Sequence, residues 1–139
     1  MSHTVIFKYL LVSLILYGSH LQVLACLSSH YRYYVYVINQ LPPNTAPLIA
    51  HCYSGDTEFG NHTVTPNTDF HFTFCDNISS TLFSCHYWWG DKNKAFEVFN
   101  TDWPDRRPTH HFVWVAQSDG IYLSFNLPPS GLVKKHDWE

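Results

Sequence analysis

Eight histidines lie downstream of residue 25: His30, His51, His62, His71, His86, His110, His111 and His136. Imidazole changes charge near neutral pH and is the commonest protein metal ligand, so this abundance raises two chemistries, metal binding and general acid–base catalysis. Neither is organised by spacing. No His-x-His or His-x-x-x-His pair preorganises a metal site. His71 and His86 could face each other across a hairpin, and the adjacent His110 and His111 would diverge to opposite faces of a strand. The acids Asp56, Glu58, Asp102, Asp105 and Asp119 sit mainly in turn-rich segments, where turn formation and solvation explain them. There is no Gly-x-Ser-x-Gly elbow, no phosphate-cradling glycine loop and no Cys/His pair made persuasive by spacing. The expectation is a protein with no metal, no cofactor and no catalytic constellation.

The tryptophans raise a different chemistry. Trp88, Trp89, Trp103 and Trp114 could line a sugar-binding face, but Trp89 and Trp114 lie inside apolar strands and read as core. Trp103 sits between Asp102 and Pro104, close to Arg106 and Arg107, in a charged loop. It reads either as a contact anchor for a partner protein or as a loop residue folded back over the edge of the domain. Asp56 and Glu58, in another polar turn, join Trp103, Arg106 and Arg107 as partner-contact candidates. The alternative class is a carbohydrate binder or small hydrolase using surface His and Trp.

These side chains must be positioned by strands. Tyr31–Asn39 is dense in Tyr and Val, which favour a pleated, half-buried surface, and Leu41-Pro-Pro-Asn44 ends it. Residues 47–54 form a second run, closed by a turn-rich stretch from Ser54 to Gly60. Asp69–Cys75 alternates cleanly, with Phe70, Phe72 and Phe74 on one face. Residues 76–81 form a polar turn, from which Leu82–Trp89 is expected to pair back as a hairpin. Ala95–Asn100 is a short strand followed by a long loop. Phe112–Gln117 and Ile121–Phe125 flank Ser118-Asp119-Gly120, a tight-turn signal. The tail from about Pro128 to Glu139 is polar and expected to fray. No helical periodicity or internal repeat appears. The fold class is all-β, a small antiparallel β-sandwich of about seven or eight strands.

Four cysteines, Cys26, Cys52, Cys75 and Cys85, allow three pairings in an oxidising compartment, and no Cys-x-x-Cys suggests a zinc or redox motif. Residues 1–25 have the parts of a cleaved signal peptide: Lys8, the apolar run Tyr9–Tyr17, and Val23-Leu24-Ala25 before a cleavage point. Gly18, Ser19, His20 and Gln22 interrupt that run, leaving it short of the roughly 20 residues that span a bilayer. Val23–Cys26 also reads as a bacterial lipobox, but the sequons at Asn61 and Asn77 favour a eukaryotic secretory route with glycosylation. The secreted domain is then 26–139. It carries 7 basic and 11 acidic side chains, a net charge of −4, which offers no footprint for nucleic acid or an anionic membrane.

Five segments in order resemble the plant self-incompatibility S1 family, also called S-protein homologues. Val35–Leu41 is similar to that family's first strand. His51-Cys52-Tyr-Ser54-Gly-Asp56-Thr-Glu-Phe-Gly60 and the aromatic strand Phe70–Phe74 follow. Thr81-Leu-Phe-Ser-Cys85 with Trp89-Gly90, and then Trp114–Tyr122, complete the match. The resemblance covers roughly residues 33–126. It implies a secreted β-sandwich, a disulfide between Cys52 and Cys85, and a non-catalytic extracellular ligand acting on a plasma-membrane receptor, expected as a monomer, in cell–cell signalling such as pollen rejection. Loops 54–61, 76–81 and 101–110 would carry recognition. The family's usual second Cys pair near Trp114 is missing here. Cys26 and Cys75 either form a substitute bridge, or Cys75 stays free and Cys26 is lost or modified.

Overall fold

The structure, a computed structural model, describes residue 26 and residues 31–76, 80–104 and 110–139. Residues 1–25, and with them the expected signal peptide, lie outside the described residues, as do Asn77, Arg106 and Arg107.

Nine strands form the described domain: β1 (Arg32–Asn39), β2 (Leu48–Tyr53), β3 (Glu58–Val64), β4 (Asp69–Cys75), β5 (Leu82–Trp89), β6 (Lys92–Asn100), β7 (His111–Gln117), β8 (Gly120–Ser124) and β9 (Val133–His136). A five-stranded sheet runs β4-β1-β7-β8-β9 and a four-stranded sheet β3-β2-β5-β6. Every pairing is antiparallel except β1 with β7, which run parallel with Tyr34 opposite His111. Alternation dictates the packing. Tyr33, Val35, Val37 and Asn39 of β1 point inward, and Phe72, Cys52, Cys85, Tyr87, Phe96, Val98, Phe112 and Trp114 meet them in one core. Two polar side chains inside that core are bonded, whereas His110 Nδ1, packed on Tyr33, is buried without a partner among the described residues. The buried Asn39 donates from Nδ2 to the Val64 carbonyl at 2.8 Å and accepts the Leu41 amide at 2.8 Å, and the Trp114 indole donates to the Val98 carbonyl at 3.0 Å.

Three expectations need correction. First, β4 and β5 are not a hairpin. They lie in different sheets, because β4 is held by β1 over Arg32–Ile38 while β5 is sandwiched between β2 and β6. His71 and His86 therefore do not face each other; the histidine opposite His86 is His51 of β2. Second, the turn-rich stretch read to Gly60 contains the start of β3. Gly60 takes a left-handed backbone (φ 72°), and two residues of β3, Phe59 and Gly60, oppose a single residue of β2 between the His51 and Tyr53 pairings. This bulge breaks the period-two pattern that marks a strand. Third, the tail is not frayed. Val133–His136 adds to β8, Trp138 donates its indole N–H to the Gln117 carbonyl at 2.8 Å, and the Asn93 and Glu139 backbones exchange hydrogen bonds of 3.0 and 2.9 Å.

Candidate functional site: the loop-bearing end of the sandwich

The topology sorts the connections into two groups. Segments 40–47, 65–68, 90–91 and 118–119 lie at one end of the sandwich. β2, β4, β6 and β8 end at the other, where the connections 54–57, 76–81, 101–110 and 125–132 leave the sheets, 77–79 and 105–109 being outside the described residues and 127–129 reaching back over β1 beside Ile38. The three loops expected to carry recognition thus share one end, although β3 shortens the first of them to 54–57.

Covalent and hydrogen bonds tie that end together. Cys26 and Cys75 form a disulfide with Cα atoms 5.4 Å apart, anchoring the segment before β1 to the end of β4. The Asp76 amide donates to the Tyr31 carbonyl at 2.9 Å. Thr101 joins two loops: its hydroxyl accepts the Thr81 amide at 2.7 Å and has Asp76 Oδ1 and the Thr81 carbonyl within 3.1 and 3.0 Å, while its amide donates to Thr81 at 3.0 Å. The turn before β3 closes on itself, with the Ser54 amide donating to the Thr57 carbonyl at 2.8 Å and the Ser54 hydroxyl to Asp56 Oδ1 at 2.9 Å. Beneath the loops, Cys52 and Cys85 are bonded across β2 and β5, directly opposed and fully buried, with Cα atoms 4.0 Å apart.

Among the described residues, Tyr31 (64% exposed), Tyr53 (37%) and Leu82 (46%) are exposed at this end, and Leu127 and Val133 are exposed on the connection to β9 and at its start. Tyr53 and Leu82 lie on the outer face of the four-stranded sheet, with His51 and His86, and Tyr31 precedes β1 of the other sheet. Asp56 and Glu58 are exposed at the same end. Glu58 pairs with His51 and accepts the Gly60 amide at 2.9 Å; that amide first, and His51 second, hold its carboxyl below the ordinary range. Trp103 is not an outward anchor. It is half-buried and packs on the core beside Phe99 and Phe112, at ring separations of 6.4 and 6.1 Å. It belongs to the opposite lateral side from Glu58, since β6 and β3 are the two edges of their sheet. Arg106 and Arg107 fall outside the described residues. Tyr31, Tyr53 and Leu82 were not singled out by sequence, because each stands at the margin of a β-patterned run and reads as part of it.

The remaining candidates do not assemble. The two His–acid pairs, His51 with Glu58 and His71 with Asp69 (2.7 Å), lie on the outer faces of different sheets. His86 contacts Asn93 at 2.9 Å and stacks on Trp88 at 3.8 Å. Both described disulfides consume cysteines that could otherwise act as nucleophiles. Among the described residues, no three His, Cys, Asp or Glu side chains are grouped to hold a metal ion. The tryptophans do not form one face either. Trp114 is in the core, Trp103 covers one lateral side, and Trp89 packs against Trp138 at 5.8 Å. Asn61 is exposed on edge strand β3, where its sequon is open to solvent.

Comparison with known proteins gives this architecture a family. Residues 34–138 match the family model described as plant self-incompatibility protein S1. The chain belongs to that family. S-protein homolog 26 of Arabidopsis thaliana is 33% identical over 94 residues, covering 68% of this chain and 44% of the relative. S-protein homolog 19 of the same plant is 32% identical over 87 residues, covering 60% of this chain and 63% of the relative. The match thus spans less than half of S-protein homolog 26. A solved structure of SPH (Self-Incompatibility Protein Homologue) proteins, described as a widespread family of small, highly stable, secreted proteins from plants, superposes with a TM-score of 0.62. It is 18% identical, with 80% of this chain and 97% of that one covered, a likeness of fold. The Cys26–Cys75 bridge supplies a second staple where the sequence has no Cys near Trp114.

Proposed function

We propose that this S1-family protein is a secreted, non-catalytic ligand that binds a plasma-membrane receptor through the loop-bearing end of its sandwich. The observation that carries the reading is the gathering of loops 54–57, 76–81 and 101–110 at one end. That end is stapled by Cys26–Cys75 and displays Tyr31, Tyr53 and Leu82 to solvent. Rigid frames that present loops concentrate recognition in those loops. Rigidity matters because a preordered surface loses less conformational entropy on binding. Asp56 and Glu58 give the surface an acidic margin that would meet a basic patch on the receptor. The protein acts as a monomer, carries glycans at Asn61 and Asn77, and serves in cell–cell signalling, with pollen rejection as one such role.

Transplanting segment 101–110 into an S-protein homologue tests the reading. The chimera is expected to acquire this protein's cell-surface binding pattern, measured with labelled protein on plant cells. An unchanged pattern would remove that loop from the account.

A further inference from the structure

The sandwich is sealed unequally along its two lateral sides. On the β3/β4 side, Phe59, Phe72, Phe74 and Phe83 stack with ring centroids 4.4–6.2 Å apart and fill the gap between sheets. On the other side, Glu139 is held on β6 by backbone exchange with Asn93 and an ion pair with Lys94, and His136 packs on Phe96 at 4.9 Å. Phe96–Trp114 and Phe99–Phe112 bridge the sheets at 5.1 and 5.3 Å, and outside these contacts a cavity of about 510 Å³ remains on this side. Packed interiors leave few voids larger than a water molecule, so this volume is in the range of ligand pockets and not of packing defects.

Its walls are Trp103, Phe112, Trp114, Leu123 and Phe125, an apolar and largely aromatic lining suited to a flat ring system. Three polar groups also line it. Glu97 and Lys135 are exposed, on the two facing strands β6 and β9, and His136 is half-buried against Phe96 and Trp114 at 4.9 and 6.0 Å. Glu97 accepts the Asn100 amide at 3.2 Å and places its negative charge at the β6 wall, so an anionic group is favoured on the β9 side, by Lys135. Lys135, by contrast, has no ion-pair partner among the described residues; its neighbour Lys134 takes Asp137. A second donor is also unused. The indoles of Trp89, Trp114 and Trp138 each donate a hydrogen bond, whereas that of Trp103 has no acceptor among the described residues. An aromatic pocket with one free cation and one free N–H selects an apolar body bearing an anionic acceptor.

We propose that this lateral cavity is a binding site for a small aromatic acid, its rings held among Trp103, Phe112, Trp114 and Phe125 and its anionic group met by Lys135 and the Trp103 indole N–H. The cavity opens beside Trp103 and Pro104 at the start of loop 101–110, away from the exposed Tyr53 and Leu82, and its occupancy by a small molecule is read without any receptor.

The test uses the full mature protein and two probes of the same ring skeleton, the anionic 1-anilinonaphthalene-8-sulfonate and the uncharged N-phenyl-1-naphthylamine. The sulfonate probe is expected to bind saturably at one site per chain and to shift the Trp103 indole N–H resonance. Lys135→Met should weaken the sulfonate probe about fivefold, the scale of one partly exposed charge contact, and leave the neutral probe unchanged. Leu123→Trp, which fills the cavity, should abolish both. Absence of one-site binding to the wild-type protein, retention of binding in folded Leu123→Trp, or indifference to Lys135→Met would each overturn the proposal. If Leu123→Trp does not fold, the Trp103 resonance of the wild-type protein decides: no shift on probe addition rejects the site.

Discussion

At one end of the sandwich, two of the four connections, Gly90–Asp91 and Ser118–Asp119, turn the chain in the fewest residues that join two strands, and backbone conformation does the turning; the other two, 40–47 and 65–68, are longer and carry side-chain bonds at Thr45 and Thr68. Gly90 adopts φ 61°, and Gly120, closing the second turn, leaves so little room that a Cβ there would lie 2.5 Å from the His136 carbonyl oxygen. At the other end, the longer connections 76–81 and 101–110 are held by side chains and a disulfide, through Thr101, Asp76 and Cys26–Cys75. The difference teaches where variation is tolerated. A turn set by backbone geometry accepts few residues, whereas a loop held at its base can change its tip while the frame stays in place. Recognition is therefore best sought at the second end.

The largest effect is expected from breaking the frame that both ends share. The Cys52→Ala/Cys85→Ala double variant removes a bridge closing a 33-residue separation and should lower stability by about 4 kcal/mol, measured by urea unfolding. Because this bond lies beneath the loops, both ends should lose order together, read as amide exchange across β2 and β5.

Next comes Gly120→Ala. The added methyl must displace both the His136 backbone and the Lys134 side chain, whose Cε would stand 2.6 Å away. The expected cost is roughly 1–3 kcal/mol, together with faster amide exchange in β9 and little change at Thr101. Disruption confined to the loop-bearing end would contradict the division drawn here.

Thr101→Val should have the smallest effect on stability, about 1–2 kcal/mol, since it leaves the Thr81 amide and an Asp76 oxygen without their shared hydroxyl. Its signature is local: segments 76–81 and 101–104 should exchange faster while the turns at 90–91 and 118–119 stay unchanged.

The two ends also differ in how legible they are in the sequence. Asp69–Cys75 and Leu82–Trp89 appear as strands with these same bounds, the first because its alternation is uninterrupted, the second because an apolar and aromatic run lies between a polar turn and Gly90. Their partners do not appear, since alternation says which face is buried and nothing about which strand lies alongside. β3 hides behind the Gly60 bulge, and β9 behind Val133-Lys-Lys-His136, where a strand lying on the sheet edge needs no apolar repeat. Trp103 illustrates the same limit at the site. Its charged neighbours suggest exposure, but Phe99 and Phe112 capture its ring, a contact formed only once β6 and β7 are brought together. Tyr31, Tyr53 and Leu82 escape notice for the opposite reason: they have strand-forming side chains, and only the ends of strands decide that they are exposed.

The central claim, recognition at the loop-bearing end, is tested most directly by equilibrium binding of labelled protein to intact plant cells. Three forms are compared: wild type, a Tyr53→Ala/Leu82→Ala variant at the loop-bearing end, and an Asn44→Ala/Asp119→Ala variant at the other. Exposed side chains at the centre of a protein contact commonly contribute 1–2 kcal/mol each, so the first variant should bind at least about tenfold more weakly with its fold intact by circular dichroism, and the second should match wild type. Equal binding by the first variant, or a loss confined to the second, would contradict the account.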